Sequence, residues 1–311
     1  LVASDFELSW HRSYLLFYER KVIVSPTLTA AQLDQRARLL DRLRALPPVV
    51  VAFSGGVDSA VVAQAAFLAQ GERAWAVTAD SPSVPRAEIA GAIALAQHIG
   101  IRHRVLATAE LADPAYVAND GARCYFCKRE LYGRLSAVLA ELGASVIVSG
   151  ANADDAGDYR PGLRAAAEAA VVHPLQEVGC TKADVRVLAQ AWHLPVWDKP
   201  AGPCLASRLA PGVQVTAERL AQVEAAETYL RRQGVRDCRV RLHEGDLARV
   251  EVPLADLLAL AQPAARHELV THLQQLGFRY VTLDLAGLRS GSMNDLVPLE
   301  TRRLFLAETP P

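Results

Sequence analysis

The sequence predicts an α/β protein in which a doubly wound parallel sheet is followed by a smaller C-terminal α+β domain. Three observations carry that reading. Short apolar, β-branched runs alternate with helix-period stretches between residues 49 and 149, as buried strands alternate with crossover helices. Turn-rich segments at 54–59, 80–85 and 150–158 directly follow three of those runs, where open parallel sheets bind their ligands. After Gly212 the alternation gives way to a long helix, two close strands, two helices and a last strand.

Each element has its own cause. Residues 30–47 place apolar side chains at helical spacing and stop at Pro47 and Pro48. The run Val49, Val50, Val51, Ala52, Phe53 is a strand with no polar face. A helix from Val57 to about Gln70, a strand at 75–78 and a helix from Pro85 to His98, ended by Gly100, follow. Next come a strand at 103–106, a helix from about Lys128 to Leu142 and a strand at 145–149. Beyond Gly212 the pattern gives a helix at 216–233, strands at 238–242 and 248–252, two helices and a strand at 280–285. The expected division is an extension at 1–29, a nucleotide domain at 30–211 and a C-terminal domain at 212–311. No function is read from the extension.

Composition narrows the classes. With 33 basic and 34 acidic residues the net charge is -1, which gives no footprint for a nucleic acid partner. No apolar run is long enough to span a membrane, and residues 1–26 are too rich in charge for a secretory signal. Five cysteines are too few and too odd in number for a disulfide scaffold, so a reducing cytoplasm is expected.

Ser54, Gly55, Gly56, Val57, Asp58 and Ser59 join the first strand to a helix. Two glycines let the backbone approach an anion, and the helix start offers N–H donors and a positive dipole end. The loop lacks the lysine of G-x-x-x-x-G-K-[ST], so it is not the loop that delivers a γ-phosphate. It resembles the SGGxDS signature of the PP-loop ATP pyrophosphatases, of adenine nucleotide α-hydrolase-like fold, which adenylylate an oxygen and release pyrophosphate. That resemblance implies ATP and Mg²⁺ as cofactors, with Asp58 on the metal and Ser54 and Ser59 on phosphate oxygens. It also implies adenosine near Asp80 and a second loop at Gly150, although both segments also suit ordinary turn chemistry. Lys182, after His173, Pro174 and Leu175, resembles the family's K-x-x-[VI]-R lysine and would neutralise pyrophosphate; the alternative is a solvated first-turn lysine.

Cys124 and Cys127 form a CxxC, and Cys204 could complete the set in space. Three thiolates leave a fourth position open on zinc or on one iron of a [4Fe-4S] cluster. Cys238 shares a strand face with Val240 and Leu242 and reads as core, and Cys180 is likewise given no chemistry. The motifs SGGVDSA, TADSPSVPR, RCYFCKREL, DDAGDYRPG, WDKPAGPCLASR, RVRLH and GLRSGSMN together resemble the LarE family, the ATP-dependent sulfur transferases of nickel-pincer nucleotide biosynthesis.

The resemblance implies adenylylation of a carboxylate of a pyridinium dicarboxylate mononucleotide, followed by conversion to a thiocarboxylate. Members with one cysteine sacrifice the sulfur at the position of Cys204, whereas members with three hold a cluster that carries sulfide. This chain has all three, which favours Cys124, Cys127 and Cys204 as ligands of [4Fe-4S] over a sacrificial Cys204 or zinc. Arg239 and Arg241 would belong to the substrate-phosphate site, their alternative being a solvated strand face; Ser207, Arg208 and Arg289 are further substrate contacts by the same resemblance. Glu227 is expected to be an exposed helix glutamate, with a metal or substrate carboxylate as the alternative. The family also suggests a homo-oligomer. Another PP-loop synthetase, a tRNA thiolase and a non-catalytic nucleotide-binding module remain competing readings.

Overall fold

The computed structural model describes residues 26–155, 161–200, 202–289, 292–293 and 296–297. Residues 1–25 of the extension, the centre of DDAGDYRPG, Ala201, and Ser290, Gly291 and Asn294 of GLRSGSMN lie outside the described residues.

Helix α1 (Ala30–Ala45) opens on a capping box in which the Thr29 hydroxyl accepts from the Gln32 amide. It buries Leu39 and Leu43. Strand β1 (Val49–Ala52) splits its side chains by parity: Val49 and Val51 enter one core, Val50 the core on the other face. Helix α2 (Val57–Gln70) ends on the buried Gln70, whose Nε2 donates to the carbonyls of Leu43, Leu46 and Pro47 and whose Oε1 accepts from Val49 N. One side chain therefore satisfies the turn that joins α1 to β1.

Strand β2 (Trp75–Asp80), helix α3 (Arg86–Ile99), ended by the left-handed Gly100, and strand β3 (Arg102–Ala107) follow. Short helix α4 (Pro114–Ala118) precedes α5 (Arg123–Val138). The expected helix start near Lys128 is corrected to Arg123, so the CxxC lies inside the first turns of the helix rather than ahead of it. Only Tyr132 and Leu135 are buried, and the first turns bury no side chain, so apolar spacing registers only further along the helix. Strand β4 (Val146–Val148), α6 (Pro161–Glu168), α7 (Pro174–Glu177) and α8 (Lys182–Ala191) complete this part.

The four strands are parallel, in the order β3-β2-β1-β4, and Val172 adds a single parallel bridge to Val148. Helices α1, α2, α3 and α8 contribute to the core on one face, α5 and α6 to that on the other. The doubly wound architecture is therefore present. The direction in which strands are added across the sheet reverses between β1 and β4, so the crevice at their carboxyl ends is the topological switch point.

After Gly212 come α9 (Ala217–Arg232), β5 (Arg239–His243), β6 (Leu247–Glu251), α10 (Leu254–Ala261), α11 (Pro263–Gln275) and β7 (Tyr280–Leu283). β5 and β6 are antiparallel and β7 joins β6 in parallel, a small mixed sheet. Its core includes Val240, Leu242 and Cys238 and also gathers Leu205, Ala206 and Leu209 from ahead of Gly212. Leu254, Leu258 and Leu285 are exposed. No helix among the described residues is long and apolar enough to cross a membrane.

Candidate active site

The loop after β1 is curled on itself by its two serines. Ser59 Oγ donates to the Gly56 carbonyl at 3.0 Å, so the 3.1 Å contact between the hydroxyls is donated by Ser54. The Ser54 amide donates to Ser59 Oγ at 3.3 Å. Gly55 has φ +69°, and a Cβ there would stand 3.0 Å from Ala92 Cβ on α3. Gly56 caps α2 without a side-chain bond, which leaves the first-turn amides of the helix to an anion. Val57, buried in the first core, fixes that helix start. Gly150 closes the crevice from β4: a Cβ there would lie 2.7 Å from Ser59 N.

Asp58 carries two partners, one on each oxygen. Asn152 Nδ2 donates to Oδ1 at 3.1 Å, and Lys182 Nζ donates to Oδ2. Asn152 is oriented by the Asp154 amide, which donates to its Oδ1 at 3.0 Å. Lys182 starts α8 behind the Thr181 capping box, its amide bonded to Asp154 at 2.8 Å. The loops after β1 and β4 and the start of α8 thus meet at one carboxylate. Lys182 is a partner of Asp58, not a solvated lysine. The Asp58 and Lys182 side chains are 25% and 35% exposed, open enough to exchange partners.

At the end of β2, Arg86 binds the Asp80 carboxylate at 2.5 Å and the carbonyls of Ser81 and Val84, so the turn that follows the strand is clamped by its own arginine. Burial holds His103 and His173 below the usual imidazole range; they bond Thr78 and Ser149, each at 2.8 Å. Lys199, unremarked in the sequence, donates to Glu88 at 2.7 Å and to the Gly55 carbonyl at 3.3 Å. Arg86 and Lys199 stand inside the motifs TADSPSVPR and WDKPAGPCLASR, and Asn152 in the turn-rich segment 150–158, yet only the fold shows which loop each one serves.

The thiols of interest come from two segments. Cys124 is exposed, and Cys127 and Cys204 are half-buried. Cys204 precedes a 3₁₀ turn, Leu205–Arg208, whose first amide bonds the Ser83 carbonyl at 2.8 Å. Arg123 bridges the two segments, from Asn119 Oδ1 at 2.7 Å to the Ala206 carbonyl at 2.6 Å. Burial, then the nearby Cys204, pushes the Cys127 thiol up to about 12. Arg123 and Lys128 lie within electrostatic reach of Cys124 and Cys204. An all-sulfur donor set beside two cations suits an anionic iron–sulfur centre. Among the described residues, however, no three His, Cys, Asp or Glu side chains are gathered as a metal-holding group.

The arginine face differs from expectation. Glu227 is not an exposed helix glutamate: it is fully buried, because Arg208 at 2.8 and 3.3 Å, Arg231 at 2.7 Å and Val240 N at 3.3 Å all donate to it. Burial opposes its charge, but Arg208 and Arg231 prevail and hold the carboxyl below its ordinary range. Arg241 is buried too, paired with Glu251 at 2.8 and 3.0 Å and bonded to the Ser207 carbonyl at 3.1 Å, so β5 has no simply solvated face. Arg208 reaches the carbonyls of Pro203 at 2.6 Å and Cys204 at 3.1 Å. Ser207 Oγ donates to the Cys204 carbonyl at 2.7 Å. Arg208, Arg241 and Ser207 therefore hold the Cys204 turn. Arg239 bonds the Cys238 carbonyl at 2.8 Å, and Arg289 is exposed, 3.9 Å from Asp284.

A parallel sheet with a curled Ser-Gly-Gly-Val-Asp-Ser loop at its switch point defines a PP-loop enzyme class, and residues 36–154 match the family model described as Asparagine synthase. The chain is 40% identical to the pyridinium-3,5-bisthiocarboxylic acid mononucleotide synthase of Lactiplantibacillus plantarum, over 84% of this chain and 94% of that one. It is 46% identical to an uncharacterized protein of Synechocystis, over 80% and 92% of the two chains. An uncharacterized protein of Methanocaldococcus jannaschii is 25% identical over 78% and 91%. The chain belongs to the LarE family within the PP-loop superfamily.

Proposed function

We propose that this protein is an ATP-dependent sulfur transferase that converts a carboxylate of a pyridinium dicarboxylate mononucleotide into a thiocarboxylate. A carboxylate oxygen attacks the α-phosphorus, the bond from that phosphorus to pyrophosphate breaks, and an acyl adenylate forms. A sulfur nucleophile then adds to the acyl carbon and AMP leaves. The observation that carries the reading is the curled loop under the open start of α2, with Asp58 and Lys182 beside it. The printed activity of the Lactiplantibacillus plantarum relative supports the choice of substrate.

In this reading the backbone of Gly55, Gly56 and Val57, with Ser54 and Ser59, cradles the β- and γ-phosphates. Asp58 binds Mg²⁺ and Lys182 turns from Asp58 to the departing pyrophosphate. Asp80 and Gly150 border the nucleotide. Arg239 and Arg289 meet the substrate phosphate, while Ser207, Arg208 and Arg241 keep the Cys204 turn in place. Cys124, Cys127 and Cys204 are the residues that would hold [4Fe-4S], which when bound supplies an iron with an open position for sulfide.

The unit after Gly212 serves substrate binding and self-association, and exposed Leu254, Leu258 and Leu285 support a homo-oligomer. Five free cysteines support a reducing, cytoplasmic setting. Pyrophosphate release from ATP, dependent on the pyridinium substrate, tests the first half; release without that dependence, or none, refutes it. Iron and sulfide content after anaerobic reconstitution, compared with Cys124→Ser, tests the second. Loss of the elements of H₂S from Cys204 after turnover would replace the cluster with a sacrificial sulfur.

A further inference from the structure

Lys199 has no part in the reaction as set out above, yet it is the side chain that joins its two halves. It is 11% exposed, and lysine is rarely so enclosed unless its charge is matched. Glu88 matches it at 2.7 Å; the second bond, to the Gly55 carbonyl at 3.3 Å, holds the ammonium against the phosphate loop. An ammonium has three donors, so one is left for an anion seated on that loop.

Helix α3 is the platform for this contact. Ala92 supports Gly55, and Glu88, one turn earlier on the same face, receives Lys199. Arg186 pins the backbone just before, donating to the carbonyls of Trp197 at 2.8 Å and Lys199 at 3.0 Å. Glu88 also borders Gly202, where a Cβ would lie 3.8 Å from Oε1. Cys204 follows two residues later, and the Leu205 amide fastens the turn to Ser83. Lys199 thus stands between the phosphate loop and the stretch of chain that leads to the Cys204 turn.

We infer that Lys199 is a positioning residue that couples nucleotide on the phosphate loop to the order of the Cys204 turn. Bound polyphosphate gives the ammonium a third, charge-assisted partner, and the turn at 204–208 is held more firmly while the adenylate exists. The inference rests on the proposed use of ATP.

Hydrogen exchange of the full chain with and without ATP and Mg²⁺, read by mass spectrometry, tests it. In the wild type, ATP should slow exchange in the loop at 54–59 and also, by about tenfold, at the amides of 205–209. Lys199→Met should keep the loop protection and lose the response at 205–209, and Lys199→Arg should retain both. If Lys199→Met does not fold, Lys199→Gln, which keeps a donor for Glu88 but no charge, should lose the same response. Protection confined to the loop in the wild type, or an unchanged response at 205–209 in Lys199→Met, overturns the coupling and leaves ATP use intact. Absence of loop protection in the wild type overturns ATP use and the coupling with it.

Discussion

Two sets of ion pairs, one drawn from residues before Cys204 in the chain and one from residues after it, differ in how firmly they are enclosed. Asp58 and Lys182 are a quarter to a third exposed, reached from three loops. Arg208 with Glu227 and Arg241 with Glu251 are at most 7% exposed and saturated by further bonds. A pair open to solvent can change partners at small cost, so it suits a step in which charge arrives and leaves. A sealed pair cannot, because removing one member strands the other without water. In the proposed reaction the open pair takes part in the chemistry and the sealed pairs serve as framework, although both are made of the same residue types.

The largest effect should come from breaking a sealed pair. Glu227→Ala leaves Arg208 and Arg231 facing an empty, buried position and should cost about 3–5 kcal/mol of stability in denaturant titration. A loss below about 1 kcal/mol would place Glu227 with the exchangeable groups instead. Asp58→Asn should do the opposite: pyrophosphate release falls about 10²–10³-fold while the unfolding midpoint barely moves. Lys182→Met should lower the same rate less, by about tenfold to a hundredfold, again with stability preserved.

Gly150→Ala tests the crevice between the two sets of loops. Its methyl would meet the Ser59 amide at 2.7 Å, so the turn must shift; about 1–3 kcal/mol of stability and weaker ATP binding in calorimetry are expected. The smallest effect is on acid stability. Glu227 is ionised to lower pH in the folded state than in the unfolded chain. Its contribution is therefore present above the unfolded value, about 4.3, and is lost as pH falls through the lower folded one. Glu227→Gln should flatten the pH dependence of stability in that window; an unaltered slope would remove Glu227 as its source.

The open half of the site was readable in the sequence because its parts are contiguous. A strand, two glycines, two serines and an aspartate within eleven residues specify a backbone shape, the curled loop after β1. Lys182 was readable as a candidate, but its contact with Asp58 spans 124 positions and depends on how α8 is placed. The sealed half was not readable for the same reason in stronger form. Glu227 sits on a helix with arginines before and after it, which is also how a solvated helix is written. Only the packing of Arg208 beneath it, nineteen residues away, makes it a buried acid. The fold was legible for its strands: the β-branched runs of β1 and β4, and the shorter signals at β2 and β3, lie close to the observed ranges. It was less so at the start of α5, where residues 123–128 bury no side chain and give no periodic signal.

The two unused cysteines give the molecule a pair of internal clocks. Cys180 lies in the core beside β1 and Cys238 in that of the small sheet, each fully covered, with its thiol held up by burial to about 11 and about 12. Neither can react with an alkylating reagent until its own core opens. The two labelling rates in mild denaturant, resolved by peptide mass, thus time the breathing of each half separately. Equal rates would mean that the halves open as one cooperative body, and unequal rates would identify which half yields first.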